Sequence, residues 1–333
     1  MPRAGLGLVV AAAGVGAVVV ARRALAPGPG TLPPLVPLHA YRVEYDTTFP
    51  GAVHNDEVDT VERPFRSLHL VSRGGQPVSG QLTNEQGLYF YNPPGGWSLL
   101  TPGLQRAAND PQPVVAMQAA LRAGLASVRG HEVVVGHRCT LVRTGGGLGE
   151  VLKRPTASNH ADVCVDSSGV ILDYRLVVDG KLGEQMRASH FDGNPVIGSD
   201  TFTPSPGPVH SQGLVQAVPL GQTGLATLRP RVVAPAGLAD IGGIVRVEPS
   251  AQGTLVTTTL LFQRGDDLVT ADYLSTGSSP TGSRVALGGG RIGYLQLNLL
   301  TSSLVVPNGS AAALQLTGAD PALLEAFGRA LTG

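Results

Sequence analysis

Alternation is the clearest pattern in the chain. In Tyr41-Arg42-Val43-Glu44-Tyr45-Asp46 apolar and charged residues alternate strictly. That is the period of a strand with one buried face and one wet face. Similar short runs predict strands over residues 66–72, 87–91, 131–143, 161–166, 170–178 and 182–191. Ser167-Ser168-Gly169 and Asp179-Gly180 supply tight turns between the last three, so this half reads as an antiparallel meander. One segment breaks the period. Val114, Met117, Leu121, Leu125 and Val128 recur every three or four residues, which is one face of a helix. Asp110 can cap it, Pro111 suits its first position, and Gly130 stands where it should stop. A second group of strands is predicted over 243–248, 254–263, 268–273, 283–287, 291–297, 303–307 and 312–316. The chain closes with Asp320-Pro321 ahead of Leu323, Leu324, Phe327 and Leu331, a capped amphipathic helix that covers one sheet. The predicted class is α+β, mostly antiparallel β, with a curved sheet crossed by the first helix.

The two groups of strands meet in residues 193–213, which contain Thr203-Pro204-Ser205-Pro206-Gly207-Pro208. That composition suits a linker. A chain of 333 residues is long enough for two cores. The sequence therefore divides into an apolar N-terminal segment (1–25), a Pro/Gly-rich spacer (26–37), a first β domain (38–192), the linker, and a smaller α+β domain (214–333). Residues 4 to 21 form an unbroken apolar run of 18, with Arg3 before it and Arg22 and Arg23 after it. The length is at the short end for a membrane span. Ala24-Leu25-Ala26 also fits a signal-peptide cleavage site. Both readings stand: an uncleaved anchor, or a signal that is removed. Arginines after the run favour a cytoplasmic location for the chain beyond it, whereas the cysteines favour the outside.

Charged residues make up only 14% of the chain and the net charge is zero, so the footprint of a nucleic-acid-binding protein is absent. The two cysteines are Cys139, on the alternating face of Val133, Val135 and Leu141, and Cys164, in the run 161–166. If these strands are neighbours a bridge can form; the alternative is a pair of buried thiols. A bridge would stabilise by roughly 3 kcal/mol and would place the protein in an oxidising compartment. His54 with Asp56, and His160 with Asp162, would project side by side on a strand and could share a metal. In loops they are ordinary polar residues. No metal site, cofactor or catalytic residue is predicted, because the motifs for phosphate, dinucleotide, zinc-hydrolase and serine-nucleophile chemistry are missing. Tyr41, Val43, Tyr45, Leu68, Leu70, Val133 and Val135 are predicted to line a buried face. An apolar groove between the sheet and the 112–128 helix would be the place for a ligand.

Gly136-His137-Arg138-Cys139, followed by Cys164-Val165-Asp166-Ser167-Ser168-Gly169-Val170-Ile171-Leu172, resembles the cysteine-bearing hairpins of extracytoplasmic proteins with the lipoprotein-carrier (LolA/LolB-like) half-barrel. In plan the chain is similar to periplasmic sigma-factor regulators of the MucB/RseB type, which add a smaller C-terminal β domain. Pro235-Ala236-Gly237-Leu238 and the closing helix resemble the entry and exit of that domain. The resemblance implies a non-enzymatic protein in the bacterial envelope. It would bind an acyl chain or lipoprotein on a concave apolar surface and contact a membrane partner such as an anti-sigma factor. The N-terminal apolar segment and the cysteine pair depart from the regulator.

Overall fold

The computed structural model describes residues 31–331, apart from 52, 65, 103–111, 149, 212–214, 219–231, 233–234, 236, 251–252, 265–266, 276–280, 300, 309–311 and 319. The described residues form two open sheets and two helices, and nearly every strand pair is antiparallel. The first sheet has twelve strands: β1 (Ala40–Phe49), β2 (Val53–Glu62), β3 (Arg66–Arg73), β4 (Gln76–Asn84), β5 (Gly87–Asn92), β6 (Gly96–Pro102), β7 (Ala126–Val134), β8 (His137–Thr144), β9 (His160–Val165), β10 (Ile171–Val178), β11 (Lys181–Asp192) and β12 (Val209–Ser211). Their spatial order is β12-β6-β5-β4-β3-β2-β1-β11-β10-β9-β8-β7, so β1 and β11 meet in the middle. Helix α1 (Gln112–Arg122) joins β6 to β7.

Helix α1 is shorter than its apolar stripe. Gly124, at φ +68°, ends it, because only glycine takes that conformation without a steric cost. Leu125 and Val128 therefore fall outside the helix, in the following turn and in β7. The proposed cap, Asp110, lies outside the described residues. The predicted strand over 131–143 is really a hairpin. Val135 and Gly136 both have positive φ, 44° and 82°, which is what a two-residue type I′ turn requires. A valine there hides the turn from sequence inspection.

The helix packs on one face of the sheet. Val142, Val163, Tyr174, Met186, Thr47 and Asn55 lie abreast across β8, β9, β10, β11, β1 and β2. Met117 and Ala120 of α1 share a core with Val142, Val163 and Tyr174. Met117, Ala116 and Ala120 are fully buried. This stripe of the helix is therefore core above β8 to β10.

Two segments assigned as connectors belong to the fold. In the spacer, Leu32 is buried and Leu35 packs on the same core, while the Val36 N–H donates to the Ser167 carbonyl at 2.8 Å. The apolar run 4–21 lies outside the described residues. Among those described, no helix is long and apolar enough to cross a membrane. In the linker, the Phe202 carbonyl accepts from the Asn84 side chain at 2.9 Å. The Pro208 carbonyl accepts from the Trp97 N–H at 3.0 Å, and β12 adds in parallel to β6. This segment packs against the face opposite the helix, where Leu82, Tyr89 and Trp97 form a separate apolar cluster with Leu68, Leu70, Tyr91 and Leu99.

The second sheet has eight strands: β13 (Val215–Val218), β14 (Ala239–Ser250), β15 (Gly253–Arg264), β16 (Asp267–Ser275), β17 (Ser283–Gly288), β18 (Arg291–Gln296), β19 (Ser302–Asn308) and β20 (Ala312–Gly318). Helix α2 (Pro321–Ala330) closes it as its sequence predicts. Asp320 caps the helix by accepting from the Ala322 N–H at 2.9 Å. Leu323, Leu324 and Phe327 are buried, and Phe327 meets Phe262 edge-on with ring centres 4.9 Å apart. The sheets are joined through the β8–β9 loop. Leu152 is buried, and its N–H donates to the Leu297 carbonyl at 2.7 Å. The glycine triplet in this loop answers to crowding, not to a phosphate. A Cβ on Gly145 would lie 2.4 Å from the Lys153 carbonyl oxygen, and one on Gly147 would lie 2.6 Å from the Tyr174 hydroxyl.

Candidate functional site

Cys139 and Cys164 form a disulfide with Cα atoms 5.3 Å apart. Cys164 faces Leu141 across the β8–β9 pair, so the bond runs diagonally. Both cysteines are buried in a cluster with Tyr41, Val43, Tyr45, Val61, Val134 and Leu172.

The register separates the seven residues expected to line one face. Val43, Asp59, His69 and Gln81 lie abreast on β1 to β4, and Tyr45, Glu57, Val71 and Ser79 form the neighbouring row. Tyr41, Val43 and Tyr45 thus sit on the helix-bearing face, as Thr47 does. Leu68 and Leu70 point to the opposite face, into the Trp97 cluster. Val133 and Val135 are exposed at the β7–β8 tip.

What the helix-bearing face presents next to Tyr45 is charge. Glu57 and Asp59 come from β2 and His69 from β3. The Asp59 Oδ1 lies 2.5 Å from the His69 Nδ1, and the Glu57 Oε2 lies 4.0 Å from the His69 Nε2. Glu57 is the most enclosed of the three, with 12% of its side chain exposed, against 30% for Asp59 and 44% for His69. Burial works against a charged imidazole, but Asp59 and Glu57 outweigh it and raise the His69 pKa to about 9. The ring is therefore an imidazolium at neutral pH. On β11, burial and then the Glu57 charge push the Glu184 carboxyl above its usual range. Burial, followed by Asp59 and Glu57, raises the Tyr45 phenol well above its ordinary value. Its hydroxyl donates to the Ile171 carbonyl at 2.9 Å. The patch therefore sets three carboxylates against one imidazolium. At its rim Arg73 donates to the Asn55 Oδ1 at 2.9 Å. The Thr47 hydroxyl, fully buried on the same face, has no hydrogen-bond partner.

The two H-x-D pairs differ. His54, Asp56 and Asp46 lie on paired strands β2 and β1, with potential ligand atoms within 4.8 Å of one another. All three are exposed. His160 is buried, and its Nδ1 lies 3.0 Å from the Thr156 carbonyl oxygen. Burial alone would raise the Asp162 pKa, but Arg143 grips both of its oxygens at 2.7 Å and holds it low. That second pair is structural. The face opposite the helix carries further ion pairs: Asp173, buried, accepts from Arg175 and Arg187 at 2.6 Å each.

Sequence inspection missed the charged patch because it missed β2. Val53–Glu62 reads VHNDEVDTVE, too acidic to look like a buried strand. The usable signal was weak: Glu57 and Asp59 two apart, with His69 between two leucines.

No family model matches the chain, and no curated protein matches it. Solved structures do. MucB in the complex of Pseudomonas aeruginosa MucA/MucB is 12% identical, with a TM-score of 0.34, over 87% of this chain and 91% of that one. MucB alone gives the same identity and TM-score over 88% and 90%. A domain described as an outer membrane lipoprotein-sorting protein from Vibrio parahaemolyticus is 9% identical, with a TM-score of 0.21, over 56% and 94%. These are the kinds of protein that the cysteine hairpins resemble. At this level of superposition the likeness gives no residue a role.

Proposed function

We propose that this protein is a non-enzymatic binding and regulatory protein of the bacterial envelope, and that its helix-bearing face takes a cationic segment of a partner protein. The observation that carries the reading is the patch of Glu57 and Asp59 beside His69, with Glu184 near Glu57. It is an excess of negative charge, half-enclosed on a face that is otherwise core, and an arginine or lysine side chain would complement it. A partner of the anti-sigma type, as the cysteine hairpins imply, would supply such a segment. The disulfide supports the compartment, since structural disulfides persist outside the reducing cytoplasm.

An acyl chain or lipoprotein tail fits this patch less well. It would strip water from carboxylates and offer no hydrogen bond in return. The test is a binding titration with arginine-bearing peptides at rising salt. Affinity should fall with salt and fall further in Glu57→Gln with Asp59→Asn. Equal binding by the double variant rejects the assignment.

A further inference from the structure

The two H-x-D pairs of the first sheet are treated differently by the fold. In His160–Asp162 the carboxylate is gripped by Arg143 through both oxygens. In His54–Asp56 it is left open to solvent. The His54 Nε2 lies 3.4 Å from the Asp56 Oδ1, and the two side chains are 53% and 56% exposed. Pairing of β1 with β2 then sets Asp46 directly opposite Asp56. His54 is two residues from Asp56, so all three side chains project from one face of the hairpin. It is the face opposite Glu57 and Asp59.

Carboxylates directly opposite each other on neighbouring strands repel, and the fold supplies no fixed cation to offset this pair. Arg187 faces Asp46 from β11, but it is committed to the buried Asp173 at 2.6 Å. Among the described residues, no arginine or lysine pairs with Asp46 or Asp56. The potential ligand atoms of Asp46, His54 and Asp56 all lie within 4.8 Å of one another. Bonds of about 2.0–2.2 Å to one ion would bring the donor atoms to roughly 3.4 Å, a difference that rotation of exposed side chains closes. The donor set selects the ion. One imidazole nitrogen with two carboxylate oxygens suits zinc or nickel, whereas calcium and magnesium take oxygen throughout. Three protein ligands leave a coordination position for water or for a partner's side chain.

We propose that Asp46, His54 and Asp56 bind a divalent transition-metal ion of the zinc type, which ties β1 to β2. It goes beyond the binding function, because the ion and the charged patch use different residues on opposite faces of the same strands. The test is a calorimetric titration of the full chain, stripped with chelator, with Zn²⁺ at pH 7.5. The tightest-binding ion should be held at least tenfold more weakly by His54→Ala and by Asp46→Asn. His210→Ala, which removes an exposed histidine on β12, should bind it as the wild type does. Thermal melts separate a ligand from a merely structural residue. In chelator, Asp46→Asn should melt no lower than the wild type, since it relieves the repulsion between two carboxylates. With Zn²⁺ the wild type should gain a rise in Tm that Asp46→Asn lacks and that Mg²⁺ does not reproduce. Absence of zinc binding, unchanged affinity in His54→Ala and Asp46→Asn, an equal loss in His210→Ala, or the same rise in Tm for Asp46→Asn or with Mg²⁺ overturns the proposal.

Discussion

Removing the Cys139–Cys164 disulfide tests how the first sheet is held together. The two residues are 25 apart in sequence. On the chain-entropy relation a loop of that length stabilises by about 3.5 kcal/mol. Both sulfurs are buried in the cluster of Tyr41, Val43, Tyr45 and Leu172, so the Cys139→Ala/Cys164→Ala variant also loses some packing there, and the total should be about 4 kcal/mol. With a urea slope of about 3 kcal/mol per molar, the midpoint should fall by roughly 1.3 M. Trp97 is the only tryptophan and is fully buried in the same sheet, so its emission reports the unfolding of that sheet. Reduction of the wild type should lower the midpoint nearly as far, since it breaks the same cross-link. A shift below 0.3 M in both experiments would refute the disulfide's role, as would two titratable thiols in protein purified without reductant.

Three further outcomes rest on specific contacts. Gly147→Ala drives a Cβ to within 2.6 Å of the Tyr174 hydroxyl, and should cost about 1–3 kcal/mol in chemical denaturation. His69, whose pKa is raised to about 9 in the folded state, contributes stability that is complete below about pH 6.5 and lost as pH rises through 9. With the ring half-exposed, screening limits this to about 1 kcal/mol, read as the difference between wild type and His69→Gln at pH 6 and pH 10. Phe327→Ala removes the ring that packs against Phe262 and should destabilise the second sheet by about 3–5 kcal/mol, seen as loss of amide-exchange protection in β15 and β19.

Strands with a regular alternation were legible in the sequence, and so was α2, because local signals coincided with tertiary packing. Asp320, Pro321 and the Leu323–Phe327 stripe all did what their types and spacing predict. The failures have physical causes. Val135 occupies a left-handed position that normally calls for glycine or asparagine, so one hairpin read as one long strand. The apolar stripe of α1 continues past Gly124 because Val128 belongs to β7 and serves the sheet. Leu68 and Leu70 obey strand alternation, but alternation does not say which face is which. Both faces of this sheet carry apolar clusters, one with α1 and the other around Trp97. The charged patch is the product of pairing alone. Asp59 and His69 are brought together by register, on a strand whose acidity disguised it.

The most direct test of the central claim is the affinity of the full chain for an arginine-rich peptide, measured by fluorescence anisotropy alongside the triple variant Glu57→Gln/Asp59→Asn/Glu184→Gln. The variant should bind at least tenfold more weakly, by about 1.4 kcal/mol or more, with a shallower salt dependence. Unchanged peptide affinity, with a fluorescent fatty acid bound instead and blocked by substitutions on this face, would contradict it.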